Sequence, residues 1–208
     1  EAKTVPVAEA VQPLEMDYEG QQVPDPHVWG NVKNAIAMVE EIRDTLSEQF
    51  PEDAAVFREN AERAIATLEK LDVWVAAQIA TIPENKRKLE TTHEAFQYYA
   101  QAYDLPVLGT LIGISTEEQP SAQTVKRLAD LIRNAKVPSI FAETTINPAL
   151  IRTVADEAGV ELAPNELYAD AIGEPGSRGD SYVNMIVANT ETVVTALGGE
   201  FTPFDPNE

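Results

Sequence analysis

The chain has 208 residues, 44% of them hydrophobic, so it is long enough to bury one substantial core. Its 35 acidic residues outnumber its 15 basic ones, and the formal charge of −20 argues against nucleic acid or an anionic membrane surface as a partner. It contains no cysteine, which excludes thiolate metal sites, disulfides and thiol catalysis.

The first segment, residues 1–26, carries prolines at positions 6, 13, 24 and 26 and is predicted to be an extended, partly disordered lead-in. It begins with Glu1 rather than an initiating Met, so we expect a mature or truncated chain from which a signal sequence has been removed. After the lead-in, apolar residues at helical spacing predict a helix over roughly 31–49. No stretch approaches the ~20 apolar residues of a membrane span, and no membrane insertion is expected.

A second and much longer helix is predicted from Pro51 to about Ile79. Pro51 suits the first helical position, and Glu52 and Asp53 lie in the electropositive first turn. The apolar positions continue at spacings of three and four up to Ile79, which corresponds to a length of ~40 Å. Because this is longer than a small domain is wide, the pattern indicates either a coiled-coil hairpin or a rod shared by two lobes.

After Pro83 the pattern changes to short apolar runs separated by helical segments. The runs predict four strands, at 88–92, 106–112, 138–142 and 168–172. Helical spacing predicts helices between them and a last helix that ends at Gly198-Gly199. This alternation predicts an α/β fold, a parallel sheet with crossover helices on both faces.

Three side chains are potential metal ligands in this pattern: His27, His93 and Asp180. The first two are the only histidines of the chain, and each of the three lies where one segment ends and a helix begins. His93 and Glu143 each follow a predicted strand, and ligands bind at the carboxyl ends of strands in an open parallel sheet. Since a chain without cysteine has to bind a transition metal through imidazole and carboxylate, a metal site is predicted if these groups converge.

Each of these residues also has a structural explanation. Asp180 would make a good N-cap for the last helix, and that role alone would account for it. His27 could be an ordinary turn residue, and His93 could lie in a solvated loop or cap its own helix. Glu143 could pair with a cation such as Arg152.

Taken together, three segments resemble the solute-binding proteins of zinc- and manganese-type ABC transporters. They are Asp25-Pro26-His27-Val28-Trp29, Thr92-His93-Glu94-Ala95-Phe96-Gln97-Tyr98 and Gly179-Asp180-Ser181-Tyr182. Supporting stretches are Ile114-Ser115-Thr116-Glu117-Glu118 and the run from Phe141 to Pro148. The similarity follows the correct order from about residue 24 to residue 199.

The resemblance implies two α/β lobes joined by one long rigid helix, with a metal held in the cleft between them. Residues 1–50 would be the lead-in and a remnant of the N-terminal lobe, 51–82 the interlobe helix, and 83–208 the C-terminal α/β lobe. It also implies four metal ligands, of which His27 matches the second, His93 the third and Asp180 the fourth. The first histidine of the family lies upstream of this chain, so we expect a fragment that offers three of the four ligands.

The function that the resemblance implies is capture of a divalent transition metal outside the cytoplasmic membrane and its delivery to an ABC permease. We expect a monomer without enzymatic activity, in the periplasm or on a lipid anchor attached through the removed signal. In this family the position of His93 tends to be His in zinc-binding members and Glu in manganese-selective ones. Imidazole also suits zinc, so Zn²⁺ is expected in preference to Mn²⁺.

Two other classes of function stay open at this point. A zinc hydrolase would hold a water at the fourth position, with Glu94 or Glu143 as general base, although the sequence has no His-Glu-x-x-His signature. A surface adhesin, or a degenerate interaction protein that binds no metal, would need neither.

Overall fold

The computed structural model describes residues 3–18, 20–113, 115–116 and 119–207. The helices of this part are α1 (Val32–Gln49), α2 (Ala54–Ala80), α3 (Gln97–Ala102), α4 (Ala122–Ala135), α5 (Ala149–Ala158) and α6 (Tyr182–Ala196). The strands are β1 (Glu15–Tyr18), β2 (Gln21–Pro24), β3 (Leu89–Thr91), β4 (Val107–Thr110), β5 (Ser139–Ile140) and β6 (Glu161–Leu162).

The lead-in is structured. A short 3-10 helix, Val7–Ala10, is followed by the antiparallel hairpin β1–β2. The hydroxyl of Tyr98 accepts a hydrogen bond from Leu14 N (2.9 Å) and donates one to Asp25 O (3.0 Å), which ties both ends of the hairpin to α3. The prediction of a partly disordered segment is therefore wrong over this stretch, because Tyr98 supplies an anchor that the local proline pattern cannot reveal.

Both predicted long helices are confirmed. Helix α1 begins after the cap Asn31, whose side chain accepts a hydrogen bond from Lys33 N (2.9 Å). Helix α2 has 27 residues, follows a 3-10 turn at Pro51–Asp53, and contacts α1 and α6. Among the described residues, no helix combines the length and the apolar character that a membrane span needs.

The predicted α/β architecture is also confirmed. Strands β3 and β4 pair in parallel, as do β5 and β6, and a hydrogen bond from Phe141 N to Glu90 O (3.0 Å) joins the two ladders. Helices cover both faces of the sheet, and alternate residues from Ile140 to Ala142, at the end of β5 and just beyond it, therefore enter different cores. Phe141 belongs to the core that includes residues of α2, α3 and α6, whereas Ile140 and Ala142 belong to the core formed with α4 and α5.

The predicted fourth strand at 168–172 is wrong. The strand beside β5 is β6, and the last parallel contact on this side of the sheet is an isolated bridge between Glu143 and Leu167. Beyond that bridge, Tyr168 N and O bond to the side chain of Asn189 (2.9 and 2.8 Å) instead of to a strand. Leu167 is therefore the last residue of this segment that pairs with the sheet, and residues 168–172 are irregular chain just beyond its carboxyl edge.

Candidate metal centre

Three ligand atoms converge at the carboxyl edge of the sheet: Nε2 of His27, Nε2 of His93 and a carboxylate oxygen of Asp170. Asp170 Oδ1 lies 3.8 Å from His27 Nε2 and 3.3 Å from His93 Nε2. The potential ligand atoms of the three residues all lie within 4.8 Å of one another. The imidazole rings meet edge to face, with centroids 5.4 Å apart and an interplanar angle of 77°. The structure thus brings together the two predicted histidines.

Each member of this group follows the end of a different segment. His93 comes two residues after β3, and Asp170 comes three residues after the Leu167 bridge. His27 is the residue just before the 3-10 turn Val28–Gly30, at the end of the lead-in. The carboxyl ends of neighbouring parallel strands lie at one edge, so chain segments distant in sequence deliver their side chains to one place.

A buried carboxylate orients His27. Asp25 Oδ1 lies 2.7 Å from His27 Nδ1 and also accepts a hydrogen bond from His27 N at 2.9 Å. Both residues are buried, so this contact is shielded from water. A carboxylate at Nδ1 stabilises the proton on that nitrogen and leaves the Nε2 lone pair directed at the site.

A second buried carboxylate orients His93. Glu143 Oε2 contacts His93 Nδ1, while Oε1 accepts hydrogen bonds from Thr92 N (2.7 Å) and His93 N (2.8 Å). Neither side chain is exposed to solvent. The expected pairing of Glu143 with Arg152 is therefore wrong, because the polar atoms at the end of β3 already use both of its oxygens.

The charges around His93 change its protonation. Burial lowers the pKa of His93, but the carboxylates of Asp170 and Glu143 outweigh that effect and raise it to about 9. His93 in turn lowers the pKa of Asp170, whose side chain is 31% exposed. Since the contact between His93 Nε2 and Asp170 is not a well-formed hydrogen bond, Nε2 is a buried nitrogen without a proper partner among the described residues. This is the arrangement that a metal ion would satisfy, in competition with a proton.

Asp180 lies outside this group of convergent ligand atoms. Its Oδ2 accepts a hydrogen bond from Gly176 N (3.1 Å), and its Oδ1 accepts one from Asn184 Nδ2 (2.8 Å). It thereby orders the loop before α6, whose N-cap is the neighbouring Ser181. The alternative role of Asp180 as the N-cap is therefore wrong, because Ser181 holds that position. The carboxylate in the convergent group is that of Asp170.

The sequence analysis did not select Asp170 because this residue lay inside the predicted strand 168–172. With a strand end at residue 167, Asp170 would have been identified as the first acidic residue beyond the sheet edge. The supporting stretch 114–118 bears only partly on the site, since Ile114, Glu117 and Glu118 lie outside the described residues.

Comparison with known proteins identifies relatives that are named for binding or uptake of metal ions. The family described as the periplasmic zinc-uptake complex component A, ZnuA, matches residues 1–196. The manganese-binding lipoprotein MntA of Halalkalibacterium halodurans is 35% identical over 173 residues, covering 83% of this chain and 57% of the relative. The MntA lipoprotein of Bacillus subtilis is 35% identical over 196 residues, covering 92% of this chain and 64% of the relative.

The fold agrees with that of a solved relative. The structure of the periplasmic zinc-binding protein TroA from Treponema pallidum aligns with a TM-score of 0.85 at 31% identity, covering 93% of this chain and 71% of that chain. The chain spans 57% and 64% of the lengths of the two MntA proteins. Its match to the family model, over almost all of its residues, shows that this chain belongs to the ZnuA family of periplasmic zinc-uptake components.

Proposed function

We propose that the chain captures a divalent transition metal through His27, His93 and Asp170, for delivery to an ABC permease. The observation that supports this is the convergence of two Nε2 atoms and one carboxylate oxygen at a single point. The opposite nitrogen of each imidazole contacts a buried carboxylate, which leaves Nε2 free to bind metal. Each segment contributes one ligand, so a bound ion would also join the lead-in to the sheet edge.

The ion that we propose is Zn²⁺ rather than Mn²⁺. Two imidazole nitrogens and one carboxylate oxygen form a nitrogen-rich set, and zinc binds nitrogen ligands more tightly than manganese does. Relatives of both kinds are known, since MntA is named for manganese and TroA for zinc. The two carboxylates behind the histidines add negative charge that would favour either divalent ion.

Transport rather than catalysis fits the carboxylates near the site. A general base needs an oxygen that is free to accept a proton from water. Both oxygens of Glu143 are already hydrogen-bonded, and Glu94 Oε1 accepts a hydrogen bond from Gln97 (3.3 Å). The relatives are named for metal binding and uptake, and none of those names points to an adhesin.

The proposed setting is outside the cytoplasmic membrane. The matched family is periplasmic and the MntA relatives are lipoproteins. We propose residues 1–50 as part of an N-terminal lobe, 51–82 as the interlobe helix and 83–208 as the C-terminal lobe. Helix α2 supports this division because it contacts both α1 and α6. We propose that the chain binds the ion as a monomer.

Calorimetric titration with Zn²⁺ and, separately, Mn²⁺ tests this function on three proteins: the wild type, Asp170→Asn and Asp180→Asn. The last two form a matched pair, since each removes one carboxylate charge from the chain between Leu167 and α6. We expect saturable binding in the wild type, tighter for Zn²⁺, a loss of more than ~100-fold in Asp170→Asn, and little change in Asp180→Asn.

Two results would contradict the proposal. A wild type that shows no saturable binding of either ion would refute metal capture by this chain. Equal losses in the two variants would mean that charge near the site, and not coordination by Asp170, controls affinity. Circular dichroism of all three proteins keeps a folding defect apart from a loss of ligand.

A further inference from the structure

The indole of Trp29 lies between the segment that carries His27 and the loop that carries Asp170. Its Nε1–H donates a hydrogen bond to the carbonyl oxygen of Ala169 at 2.8 Å. Its ring meets the imidazole of His27 edge to face, with centroids 5.6 Å apart and an interplanar angle of 75°. One side chain therefore contacts one proposed ligand directly and the backbone next to another.

The backbone of Trp29 is fixed as well. Its carbonyl oxygen accepts a hydrogen bond from the hydroxyl of Tyr182 (2.9 Å), at the start of α6. The preceding residue, Val28, is buried, and its carbonyl oxygen accepts a hydrogen bond from Asn34 Nδ2 (2.9 Å). The indole is thus attached to a part of the chain that α1 and α6 hold in place.

The loop that receives this hydrogen bond leads directly from the sheet edge to Asp170. Tyr168 is fixed through both backbone groups by Asn189, and Ala169 is the next residue. The carbonyl of Ala169 bonds to the indole, and Asp170, the residue after it, carries a partly exposed side chain. The position of the Asp170 carboxylate therefore depends in part on where Trp29 holds the preceding peptide, beside the side-chain contacts of Asp170 with His93 and Thr145.

We propose that Trp29 is a positioning residue that sets the separation of His27 and Asp170 and so tunes metal affinity. The inference rests on the proposed function. Metal sites tolerate ligand displacements of only a few tenths of an ångström, so one hydrogen bond beside a ligand affects the whole set. Removal of the indole N–H is expected to weaken Zn²⁺ binding about fivefold, the change that corresponds to one neutral hydrogen bond.

The chain offers a matched control, because it has only one other tryptophan. Trp74 Nε1 donates to the carbonyl oxygen of Thr202 at 3.0 Å, and its ring meets Phe201 edge to face. Both indoles are half-buried, and both bond to the backbone of a distant segment. Trp29→Phe and Trp74→Phe therefore remove the same group, one at the metal centre and one at the C-terminal tail.

The first measurement is Zn²⁺ affinity by calorimetry for the wild type and both variants, together with their thermal unfolding midpoints. We expect weaker binding only in Trp29→Phe, even where the two variants lose similar stability. Each variant also leaves a single fluorescent tryptophan. We expect Zn²⁺ to change the emission of Trp74→Phe, where Trp29 is the reporter, and to leave the emission of Trp29→Phe unchanged.

A second measurement does not depend on metal binding. The chain has two histidines, so NMR resolves the imidazole signals of His27 and His93 individually. Without added metal, we expect Trp29→Phe to weaken the nuclear Overhauser contacts between the His27 ring and the Asp170 side chain, whose Nε2 and Oδ1 atoms lie 3.8 Å apart in the wild type. Trp74→Phe should leave these contacts as in the wild type.

The outcomes separate the two proposals. Unchanged nuclear Overhauser contacts between His27 and Asp170 in Trp29→Phe, or equal Zn²⁺ affinities in the two variants, would overturn the role of Trp29. Absence of Zn²⁺ binding in the wild type would refute the proposed function, and the NMR comparison would still decide whether Trp29 sets the separation of His27 and Asp170.

Discussion

The two histidines of the metal centre are oriented by buried carboxylates in different ways. Asp25 uses a single oxygen, Oδ1, for both the backbone N–H and the Nδ1 of His27, and its Oδ2 is buried without a partner among the described residues. Glu143 uses both oxygens: Oε1 accepts hydrogen bonds from two backbone N–H groups, and Oε2 contacts His93 Nδ1. Asp25 thus accepts hydrogen bonds through one oxygen and Glu143 through both. We therefore expect the Asp25–His27 and Glu143–His93 pairs to respond differently when the carboxylate is replaced by an amide.

The difference follows from where the partners lie in the chain. Asp25 is two residues before His27, so a tight local turn brings one oxygen to both donors. Glu143 is 50 residues from His93, and it reaches that residue from the neighbouring strand end. A long-range carboxylate that also binds the backbone at the end of β3 fixes both the ring and the loop that carries it.

Of the two carboxylates behind the histidines, Glu143 is expected to show the larger effect when it is replaced by Gln. The amide oxygen can keep the bonds from Thr92 N and His93 N, but the amide NH₂ then faces Nδ1 of His93. The imidazole has to accept at Nδ1 and carry its proton on Nε2, which blocks the nitrogen that would bind metal. Calorimetry with Zn²⁺ should therefore show a loss at or above the upper end of the ~10–100-fold range for partners of metal ligands.

The tautomer of the His93 imidazole can be measured independently of metal affinity. Above about pH 9, where the wild-type imidazole of His93 is neutral, NMR should report its proton on Nδ1, in contrast to a proton on Nε2 in Glu143→Gln. Unaltered affinity together with an unaltered tautomer would mean that Glu143 supports the loop but not the ring.

A smaller effect is expected for Asp25→Asn. Because Oδ1 alone serves both donors, the amide oxygen of Asn can take over both bonds, and its NH₂ group occupies the place of the unpartnered Oδ2. The tautomer of His27 is retained and only the negative charge is lost. Zn²⁺ affinity should fall by about 10-fold or less, at the lower end of the range for such partners. A loss in Asp25→Asn as large as that in Glu143→Gln would remove the distinction between the two carboxylates.

The sequence predicted the parts of this centre that depend on local pattern. The helices at 31–49 and 51–79, the parallel sheet and the convergence of His27 with His93 follow from periodicity, strand ends and the resemblance to metal-binding proteins. The third member of the group, Asp170, was hidden inside the predicted strand 168–172, whereas the last sheet contact is at Leu167. Asp180 was chosen instead because the segment Gly179-Asp180-Ser181-Tyr182 resembles metal-binding proteins. Hydrophobic pattern does not fix the end of the sheet, because Tyr168 bonds to the side chain of Asn189 in place of a strand neighbour.

A third buried carboxyl group, that of Glu90, differs from those of Asp25 and Glu143 because no histidine forms a hydrogen bond with it among the described residues. Glu90 lies in β3 and is fully buried. Neither of its carboxyl oxygens, Oε1 or Oε2, makes a well-formed hydrogen bond with a described residue. Burial raises its pKa to about 9, against a weaker opposing effect of the Gly109 backbone. Glu90 is therefore a neutral acid at pH 7, whereas the two carboxylates behind the histidines carry out their role through negative charge.

Glu90→Gln should leave Zn²⁺ affinity unchanged and alter only the pH dependence of stability. With a pKa raised from 4.5 to about 9, Glu90 stabilises the fold fully below pH 4.5. This contribution is lost as the pH rises towards 9, because the unfolded chain releases the proton that the folded chain retains. The free energy of unfolding should fall by up to ~1.4 kcal/mol per pH unit on this account. His93 adds a loss of the same sign between the ordinary histidine pKa of 6.5 and about 9, so the interval from pH 4.5 to 6.5 isolates Glu90 from it. Urea unfolding across that interval should show a shallower slope in Glu90→Gln than in the wild type, and parallel slopes would mean that Glu90 is ionised in the fold.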